Sequence, residues 1–230
     1  ERAIHPLALG VVAALSGEHE VTLVDEAREP VPETAERYDV VGISVNTFNA
    51  PRAYRLADRY RAARVPVVFG GPHTALLPEE CLQHADSIVL GDAEGAWPRL
   101  LEDLADRRLL PRYVSPPTSC LDMPAPRRDL FRRNSRRVAW CQMSRGCANH
   151  CRFCYLHAMP HPGMRVRPVG AVVDELRAMP QPVVLFVDDN VFCARDYTHE
   201  VLKAIAPLRK RWWIQAPTTL HEDPDLIPLM

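Results

Sequence analysis

The chain has 230 residues, 47% of them hydrophobic, which is enough for one large or two ordinary globular domains. Its formal net charge of −1 gives no overall field that would attract nucleic acid or an anionic membrane surface, so we expect neither partner. No apolar run approaches the roughly 20 residues that span a bilayer, and no secretory signal opens the chain, so we expect a cytoplasmic protein. The seven cysteines then favour thiols and metal ligation over disulfides.

The first part of the chain alternates short apolar runs with helical patterns. Strands buried on both faces of a parallel sheet read as such runs, and helices on either side cover them. The predicted strands are Val21–Val24, Val40–Ser44, Val67–Phe69 and Ser87–Leu90, and the predicted helices are Ala50–Ala63 and Glu94–Asp106. The pattern predicts a doubly wound, flavodoxin-like α/β domain over residues 1–110.

The order of these elements implies a missing strand. In a flavodoxin-like sheet of order 2-1-3-4-5, the first strand lies between the second and the third. The chain instead begins with a loop and an apolar helix before it reaches Val21–Val24. We therefore expect an internal segment of a longer protein, whose sheet either has a gap or has closed up around the absent strand. At the other end, Asp225–Met230 is predicted to begin a helix with most of a barrel still to come.

Each of the last three predicted strands is followed by a loop of small or polar residues. These loops are Ser44–Thr47, Gly70–Thr74 and Gly91–Gly95. In an open α/β sheet, ligands bind outside the carboxyl ends of the strands, and glycines there allow a close backbone approach. The same residues also suit ordinary turns, so the loops alone leave both a ligand site and plain turns open.

Residues 111–137 are predicted to form a linker, because prolines interrupt regular structure along it. The prolines are Pro111, Pro116, Pro117, Pro124 and Pro126, and the basic residues are Arg127, Arg128, Arg132, Arg133, Arg136 and Arg137. Such a run could bind phosphate or RNA, or it could be a solvated linker that pairs with acidic helix surfaces. No RNA-binding motif accompanies the run, which favours the solvated linker.

Residues 138–230 repeat strand, loop and helix in the manner of a (β/α) barrel. The predicted elements are strands Val138–Met143, Val183–Val187 and Trp212–Gln215, and helices Val169–Ala178 and Asp196–Leu208. Three strands cannot close a barrel, so we expect an open three-stranded arc. In such barrels the chemistry lies on the loops that follow the strands, and the polar residues of this region fall there.

Cys147, Cys151 and Cys154 form a C-x₃-C-x₂-C loop after the first of these strands. Closely spaced thiolates hold iron–sulfur clusters, and three sulfurs would leave one iron of a [4Fe–4S] cluster open for chemistry. With His150 or His157 the same cysteines could instead form a Cys₃His zinc site. The other cysteines are scattered and are expected to be small buried hydrophobes: Cys81, Cys120, Cys141 and Cys193.

The cysteine loop, with Phe153 before its third cysteine, resembles the signature of the radical S-adenosylmethionine (SAM) superfamily. The earlier loops, in the runs VGISVNT, FGGPHT and LGDAEG, are similar to the cobalamin-binding domain of the B12-dependent members. The resemblance implies a cobalamin domain followed by a partial radical SAM barrel, with a [4Fe–4S] cluster, SAM and cobalamin as cofactors. It assigns cluster ligation to the three cysteines of the loop. It assigns cobalamin contacts to Ser44, Thr47, Gly70, Gly71, His73, Thr74, Gly91 and Glu94, and SAM contacts to Phe153, Asp188, Asp189, Asn190 and Gln215.

Two of these positions depart from the family pattern. The second barrel strand of the family usually ends in a Gly-Gly-Glu-like motif that holds the SAM amino group. Here the run is Val-Asp-Asp-Asn, so the role passes to Asp188 or Asp189 by position, and ordinary turn chemistry is the alternative. The Asp-x-His-x-x-Gly motif of many cobalamin domains is absent from this sequence. His73 is then either a substitute cobalt ligand or a loop histidine that hydrogen-bonds to backbone.

The resemblance also implies a reaction. In this family the reduced cluster cleaves SAM, and the 5′-deoxyadenosyl radical abstracts a hydrogen from a small-molecule substrate. Methylcobalamin then delivers a methyl group to an unactivated carbon, with electrons supplied by a donor such as flavodoxin or ferredoxin. Oxidative cyclisation or rearrangement on the same architecture is one alternative. A non-catalytic zinc- or cluster-binding module is another.

Overall fold

The computed structural model of the chain describes residues 6–32, 37–116, 123–131, 137–160 and 163–230. The chain divides into two compact units, the first formed largely by residues 8–116 and the second largely by residues from 123 onward. Among the described residues, none of the helices combines the length and the apolarity that crossing a bilayer would need.

Strands and helices alternate through both units. The strands are β1 (Val41–Ser44), β2 (Val67–Gly70), β3 (Ser87–Leu90), β4 (Arg112–Val114), β5 (Val138–Cys141), β6 (Ser144–Arg145), β7 (Arg165–Val166), β8 (Val183–Phe186) and β9 (Arg211–Trp213). The α-helices are α1 (Leu7–Leu15), α2 (Ala50–Ala62), α3 (Pro72–Leu76), α4 (Pro78–His84), α5 (Trp97–Ala105), α6 (Val169–Ala178) and α7 (Arg195–Ile205).

The first unit is built on a parallel sheet of order β1-β2-β3-β4. Successive side chains of the central strand β2 point to opposite faces, so both faces of the sheet need a cover. Val67 and Phe69 pack into a core with α2, whereas Val68 packs into a second core with Trp97 of α5. The indole Nε1 of Trp97 also donates a hydrogen bond to Ser16 Oγ, 2.9 Å away, just beyond α1. This arrangement confirms the doubly wound α/β fold.

Two predictions for this sheet are corrected. Val21–Val24 joins no strand ladder in the described residues, and β1 forms the edge of the sheet. The proposed linker supplies a fourth strand, β4, which pairs with β3. Tyr113 is buried at its centre, and its hydroxyl donates to Asp103 Oδ2 at 2.9 Å. Three residues beside Pro111 are too short a run to be recognised as a strand by periodicity.

The second unit contains the expected open arc, a three-stranded parallel sheet of order β5-β8-β9. Its core joins Val184 and Phe186 of β8 to Val172 and Leu176 of α6 and to Val201 of α7. The short antiparallel pair β6–β7 was not predicted. Two-residue strands carry too little pattern to be found in a sequence.

The segment 123–131 belongs to this unit as packed structure and is not merely a solvated linker. Met123 and Phe131 are buried, and Arg128 Nη2 donates to Trp140 O at 2.5 Å and to Glu175 Oε1 at 2.6 Å. Other parts of the predicted linker lie outside the described residues, namely Pro117, Arg132, Arg133 and Arg136.

Glu175 of α6 is a buried carboxylate held between two arginines. Arg128 contacts one of its oxygens, and Arg167 Nη1 lies 2.7 Å from the other. The side chains of Glu175 and Arg167 are almost completely buried, so each needs the opposite charge of the other. The two arginines thereby join α6 to the segment 123–131 and to the residue that follows β7.

We predict that Glu175→Ala lowers the free energy of unfolding by about 3–5 kcal/mol, because it leaves Arg167 buried without its counter-charge. Urea denaturation followed by circular dichroism measures this loss. The neighbouring Asp174→Ala is the control, because Asp174 pairs with Arg177 on the exposed side of the same helix and should cost at most about 1 kcal/mol. Equal losses in the two variants would contradict the structural role of the buried carboxylate.

Candidate functional site

The cysteine loop of the second unit is closed at its base by the pair β6–β7. Ser144 is opposite Val166 and Arg145 is opposite Arg165, so the two ends of the loop lie side by side. Gly146 follows this pair with a φ of +82°, and a Cβ on it would overlap the carbonyl oxygen of Gly163. Only glycine fits such a narrow base.

Asp188 fixes the segment that leads into the loop. It follows β8, is 2% exposed, and accepts hydrogen bonds from Met143 N at 3.0 Å, Ser144 N at 2.5 Å and Ser144 Oγ at 2.6 Å. Burial raises the pKa of its carboxyl group to about 6, although the bonds from Ser144 and Met143 favour the ionised form. The carboxylate of Asp188 is therefore already engaged in hydrogen bonds with Met143 and Ser144 of the protein itself.

Met143 is held from its other side as well. Its carbonyl oxygen accepts from Arg167 N at 2.8 Å and from the hydroxyl of Tyr197 at 3.1 Å. With Asp188 on its N–H, every backbone hydrogen-bonding group of Met143 has a partner. The start of the cysteine loop is thus tied to β7, to the end of β8 and to α7.

The three cysteines lie beyond this base. Cys147 Sγ accepts a hydrogen bond from Asn149 N at 3.4 Å, and Cys154 N donates to Cys151 O at 2.9 Å. Phe153, between the last two cysteines, is 93% exposed. Within the described residues no three His, Cys, Asp or Glu side chains converge as a metal-binding group, and this holds for the cluster and for the zinc alternative with His150 or His157 alike.

Cys193 is a thiol that the cysteine spacing does not reveal. It ends a 3₁₀ turn after β8, and its Sγ is 3.9 Å from Cys147 Sγ. It is only partly buried, so the expectation of a buried hydrophobe is wrong for it, whereas Cys81 and Cys141 are fully buried. Cys120 lies outside the described residues. The distance of Cys193 from the cysteine loop in the sequence explains why no motif pointed to it.

The remaining predicted residues of this unit lie at the carboxyl ends of β8 and β9. Asp189 is exposed, and only one of its oxygens, Oδ2, accepts from Gly146 N, at 3.1 Å. Although Asp189 is exposed, partial desolvation by the atoms around it raises the pKa of its carboxyl group. Asn190 is nine-tenths buried, and its Oδ1 has no hydrogen-bond partner in the described structure. Gln215 is exposed two residues beyond β9.

In the first unit, the loops after β1 and β2 are joined by backbone hydrogen bonds. Val45 N donates to Gly70 O at 2.7 Å, and His73 N donates to Val45 O at 3.1 Å. Gly71 adopts a φ of +101°, and a Cβ on it would lie 2.7 Å from Val45 O. Gly70 differs, because a Cβ there would meet nothing within 4 Å. The edge is open above Gly70 and tightly packed at Gly71.

The loop after β1 presents polar and aromatic groups to solvent. Ser44 and Thr47 are exposed, and Phe48 is 98% exposed. Asn46 Oδ1 accepts from the N–H groups of Phe48 and Asn49, both at 3.0 Å, and Asn49 Oδ1 accepts from Asn46 N at 2.8 Å. This reciprocal bonding fixes the turn. The Asn-x-x-Asn spacing before the proline of α2 is the signal that could have indicated it.

His73 is 3% exposed, and both of its ring nitrogens have side-chain partners. Nδ1 is 3.2 Å from Thr47 Oγ1, and Nε2 is 2.9 Å from the hydroxyl of Tyr54. That hydroxyl donates to Glu80 Oε1 at 2.8 Å. Of the two roles left open for His73, the structure shows a hydrogen-bonded histidine, although it lies in the short helix α3 and its ring bonds to side chains and not to backbone. Tyr54 and Glu80 were not found from the sequence, because no motif links them to the loop.

The other predicted residues of this edge lie near the ends of β2 and β3. Thr74 is fully buried beneath the edge. Gly91 follows β3 with a φ of +93°, and Glu94 lies in the 3₁₀ turn Ala93–Gly95. Ser115 N, after β4, donates to Leu90 O at 2.9 Å. All four strand ends of the sheet therefore face one edge, as the parallel order requires.

Comparison with known proteins identifies the domain that carries this edge. Residues 1–101 match the B12 binding domain family. These residues form a B12-binding domain, and the chain as a whole resembles cobalamin-dependent radical SAM enzymes. It is 29% identical over 238 residues to bacteriochlorophyllide d C-12(1)-methyltransferase of Chlorobaculum tepidum, which covers 97% of this chain and 52% of the relative. It is 35% identical over 164 residues to the C-8(2)-methyltransferase of the same organism, covering 67% of this chain and 36% of the relative.

A solved structure shows the same fold. The radical SAM methyltransferase TsrM from Kitasatospora setae, with tryptophan and a SAM analogue bound, matches with a TM-score of 0.69 at 18% identity. The match covers 96% of this chain and 50% of that one. The likeness confirms a cobalamin domain followed by the radical SAM fold. This chain spans about half the length of the proteins it matches, or less.

The residues of both units suit the family's cofactors. The open space above Gly70 and the exposed Ser44 and Thr47 leave room and hydrogen-bonding groups for a corrin at the first edge. In the second unit three thiols in one short loop are the donors that iron–sulfur clusters use, and they are not consumed by disulfides. Their side chains would have to turn toward one another on binding.

We predict that Gly70→Val weakens cobalamin binding about tenfold or more, because its side chain would fill the open space where a corrin approaches. Equilibrium dialysis with cobalamin measures the affinity. From sequence alone Gly71→Val would serve as this test, but the positive φ and the contact with Val45 O mean that it would strain the fold instead.

Gly170→Val is the matched control for this prediction. A Cβ at Gly170 also meets nothing within 4 Å, but the residue lies on α6 in the second unit. Its cobalamin affinity should equal that of the unaltered protein. Unchanged affinity in Gly70→Val, with the fold intact by circular dichroism, would remove the loop from the binding site.

Proposed function

We propose that the protein is a cobalamin-dependent radical SAM enzyme that transfers a methyl group to an unactivated carbon of a small molecule. One observation carries the proposal: a B12-binding domain and a three-cysteine loop at the strand ends of a second parallel sheet lie in the same chain. The names of two relatives support methyl transfer in particular, because both are methyltransferases.

In the second unit, the cysteines and the acidic turn would bind different cofactors. Cys147, Cys151 and Cys154 would hold the cluster, and Asp189 would bind the cationic amino group of SAM. When bound, the reduced cluster and SAM supply a 5′-deoxyadenosyl radical, and methylcobalamin supplies the methyl group. The protein's own part is to hold these groups in place and to keep water from them.

The two aspartates differ in burial and in the hydrogen bonds that they already accept. Asp188 already accepts three hydrogen bonds from the protein and is buried, so it would position the cysteine loop. Asp189 is exposed and has Oδ1 available beyond its bond from Gly146. Asn190, the next residue in the chain, has a buried Oδ1 without a partner in the described structure, so it is a further candidate acceptor. We therefore assign the SAM amine to Asp189 and Asn190, with Phe153 and Gln215 as outer contacts.

The proposal includes a partner and a compartment. Reductive cleavage of SAM needs one electron, which a donor such as flavodoxin or ferredoxin would supply. We also propose a cytoplasmic location, because exposed thiols such as Cys151 persist where glutathione and thioredoxin keep them reduced.

Anaerobic reconstitution with iron, sulfide, cobalamin and SAM tests the function. We expect a brown protein that releases 5′-deoxyadenosine when reduced, and Cys151→Ala should lose both the iron and this product. Cys81→Ala is the control, because Cys81 lies in the first unit, whereas Cys193 is too close to Cys147 to serve. Full iron and sulfide content in Cys151→Ala would contradict the cluster assignment.

The same assay separates the alternative functions. Transfer of the methyl group from SAM to the reduced cobalamin releases S-adenosylhomocysteine beside 5′-deoxyadenosine, whereas an enzyme that cyclises or rearranges its substrate needs no methyl donor and releases 5′-deoxyadenosine alone. A non-catalytic module would release neither product. A zinc module would bind zinc and stay colourless.

We predict that Asp189→Asn weakens SAM binding about tenfold while the cluster content is kept, because the amide replaces a charge opposite the cationic amine. Asp188→Ala is the comparison, since it leaves the N–H groups of Met143 and Ser144 unpaired and should lower stability by about 2–4 kcal/mol. Isothermal titration with SAM and urea denaturation measure the two effects. Wild-type SAM affinity in Asp189→Asn would show that Asp189 does not bind the amino group of SAM.

A further inference from the structure

A continuous row of hydrogen-bonded side chains runs from the exposed edge of the first unit to α4. It links Thr47 Oγ1 to His73 Nδ1 at 3.2 Å, His73 Nε2 to Tyr54 Oη at 2.9 Å, and Tyr54 Oη to Glu80 Oε1 at 2.8 Å. Thr47 is exposed at one end, and Glu80 is half-exposed at the other. His73 between them is almost completely buried.

The carboxylate at the end of the row sets the direction of every proton in it. A carboxylate can only accept, so the single hydroxyl proton of Tyr54 must point to Glu80. The oxygen of Tyr54 can then only accept from His73, which places the proton of the neutral imidazole on Nε2. His73 Nδ1 is left as an acceptor, so the hydroxyl of Thr47 donates to it.

The surroundings of Tyr54 favour the donation of its hydroxyl proton to Glu80. Burial and the bond to Glu80 raise the pKa of the Tyr54 hydroxyl, so it keeps its proton. Its ring stacks on His84 with centroids 4.2 Å apart, and His84 Nδ1 is 3.1 Å from Asp58 Oδ1. The other neighbour of the hydroxyl is Cys81 Sγ at 3.9 Å, which is a weak partner beside the carboxylate.

The consequence appears at the exposed end. Since the only proton of the Thr47 hydroxyl is directed inward, its oxygen presents lone pairs alone to a ligand. We infer that Thr47 is a specificity-determining residue that accepts a hydrogen bond from a primary amide on the corrin rim and disfavours a carboxylate at that position. Tyr54, His73 and Glu80 are the positioning residues that impose this preference. The inference rests on the cobalamin site of the proposed function.

Cobalamin derivatives in which one rim amide is replaced by a carboxylic acid test this inference. Their dissociation constants are all measured at one pH. At least one such acid should bind about tenfold more weakly than cobalamin, because two acceptors then face each other. Thr47→Ser should keep that ratio, and Thr47→Val should bring it close to one.

Glu80→Gln tests the relay itself without touching the ligand. The amide can donate to Tyr54, so the row can reverse and Thr47 can donate outward, which should reduce the discrimination against the acid. Glu79→Gln is the matched control: Glu79 is the adjacent residue on α4 but pairs with Arg112 Nη2 at 2.5 Å. It should keep the wild-type ratio.

The outcomes separate this inference from the function on which it rests. Cobalamin that binds normally, with every acid binding equally well, would overturn the inference and leave the cobalamin site in place. Discrimination that survives in Thr47→Val or in Glu80→Gln would also overturn it. Failure of the protein to bind any corrin would count against the proposed function as well. Tyr54→Phe, which removes the hydroxyl within the row, should match Glu80→Gln.

Discussion

Among the described residues, the segments that lead into the candidate loops follow the ends of parallel strands, where backbone groups lose their ladder partners. A buried N–H without a partner costs about 1–3 kcal/mol, so each loop must be supplied with new ones. In the second unit Asp188 supplies them for Met143 and Ser144. In the first unit the loops supply each other, through Val45 with Gly70 and His73 with Val45. The position of the candidate sites depends on these replacements.

The two ways of satisfying these backbone groups differ in which side chains remain available to a ligand. A buried carboxylate that accepts three hydrogen bonds has little capacity left, whereas the neighbouring Asp189 is exposed and accepts only one hydrogen bond, from Gly146 N, in the described structure. Backbone-to-backbone bonds consume no side chain, so Ser44 and Thr47 remain exposed at the first edge. The same need for hydrogen-bond partners therefore produces one acidic loop and one neutral, glycine-rich loop.

The sequence predicts those parts whose signal is local. Apolar runs such as Val67–Phe69 are contained within a few residues, and this run is confirmed as part of β2. The spacing of the three cysteines is equally local, and their role in holding a cluster stays a prediction. The strand Arg112–Val114 was missed because its three residues lie beside prolines, and Val21–Val24 was mistaken for a member of the sheet because an apolar run carries no information about its neighbour. Contacts such as Cys193 with Cys147 depend on the fold and leave no mark in either segment.

The direction of a hydrogen bond is harder to predict from the sequence than the presence of the hydrogen bond. His73 could be recognised as a residue of the edge, but whether its ring gives or takes a proton depends on Tyr54 and on Glu80, which lies on another helix. Removing the charge of Glu80 would, on our proposal, reverse the hydrogen-bonding role of the Thr47 hydroxyl, which Glu80 does not contact. The proposed recognition of cobalamin at this edge would then depend on the row of hydrogen bonds behind Thr47, because an exposed hydroxyl alone could serve either as donor or as acceptor.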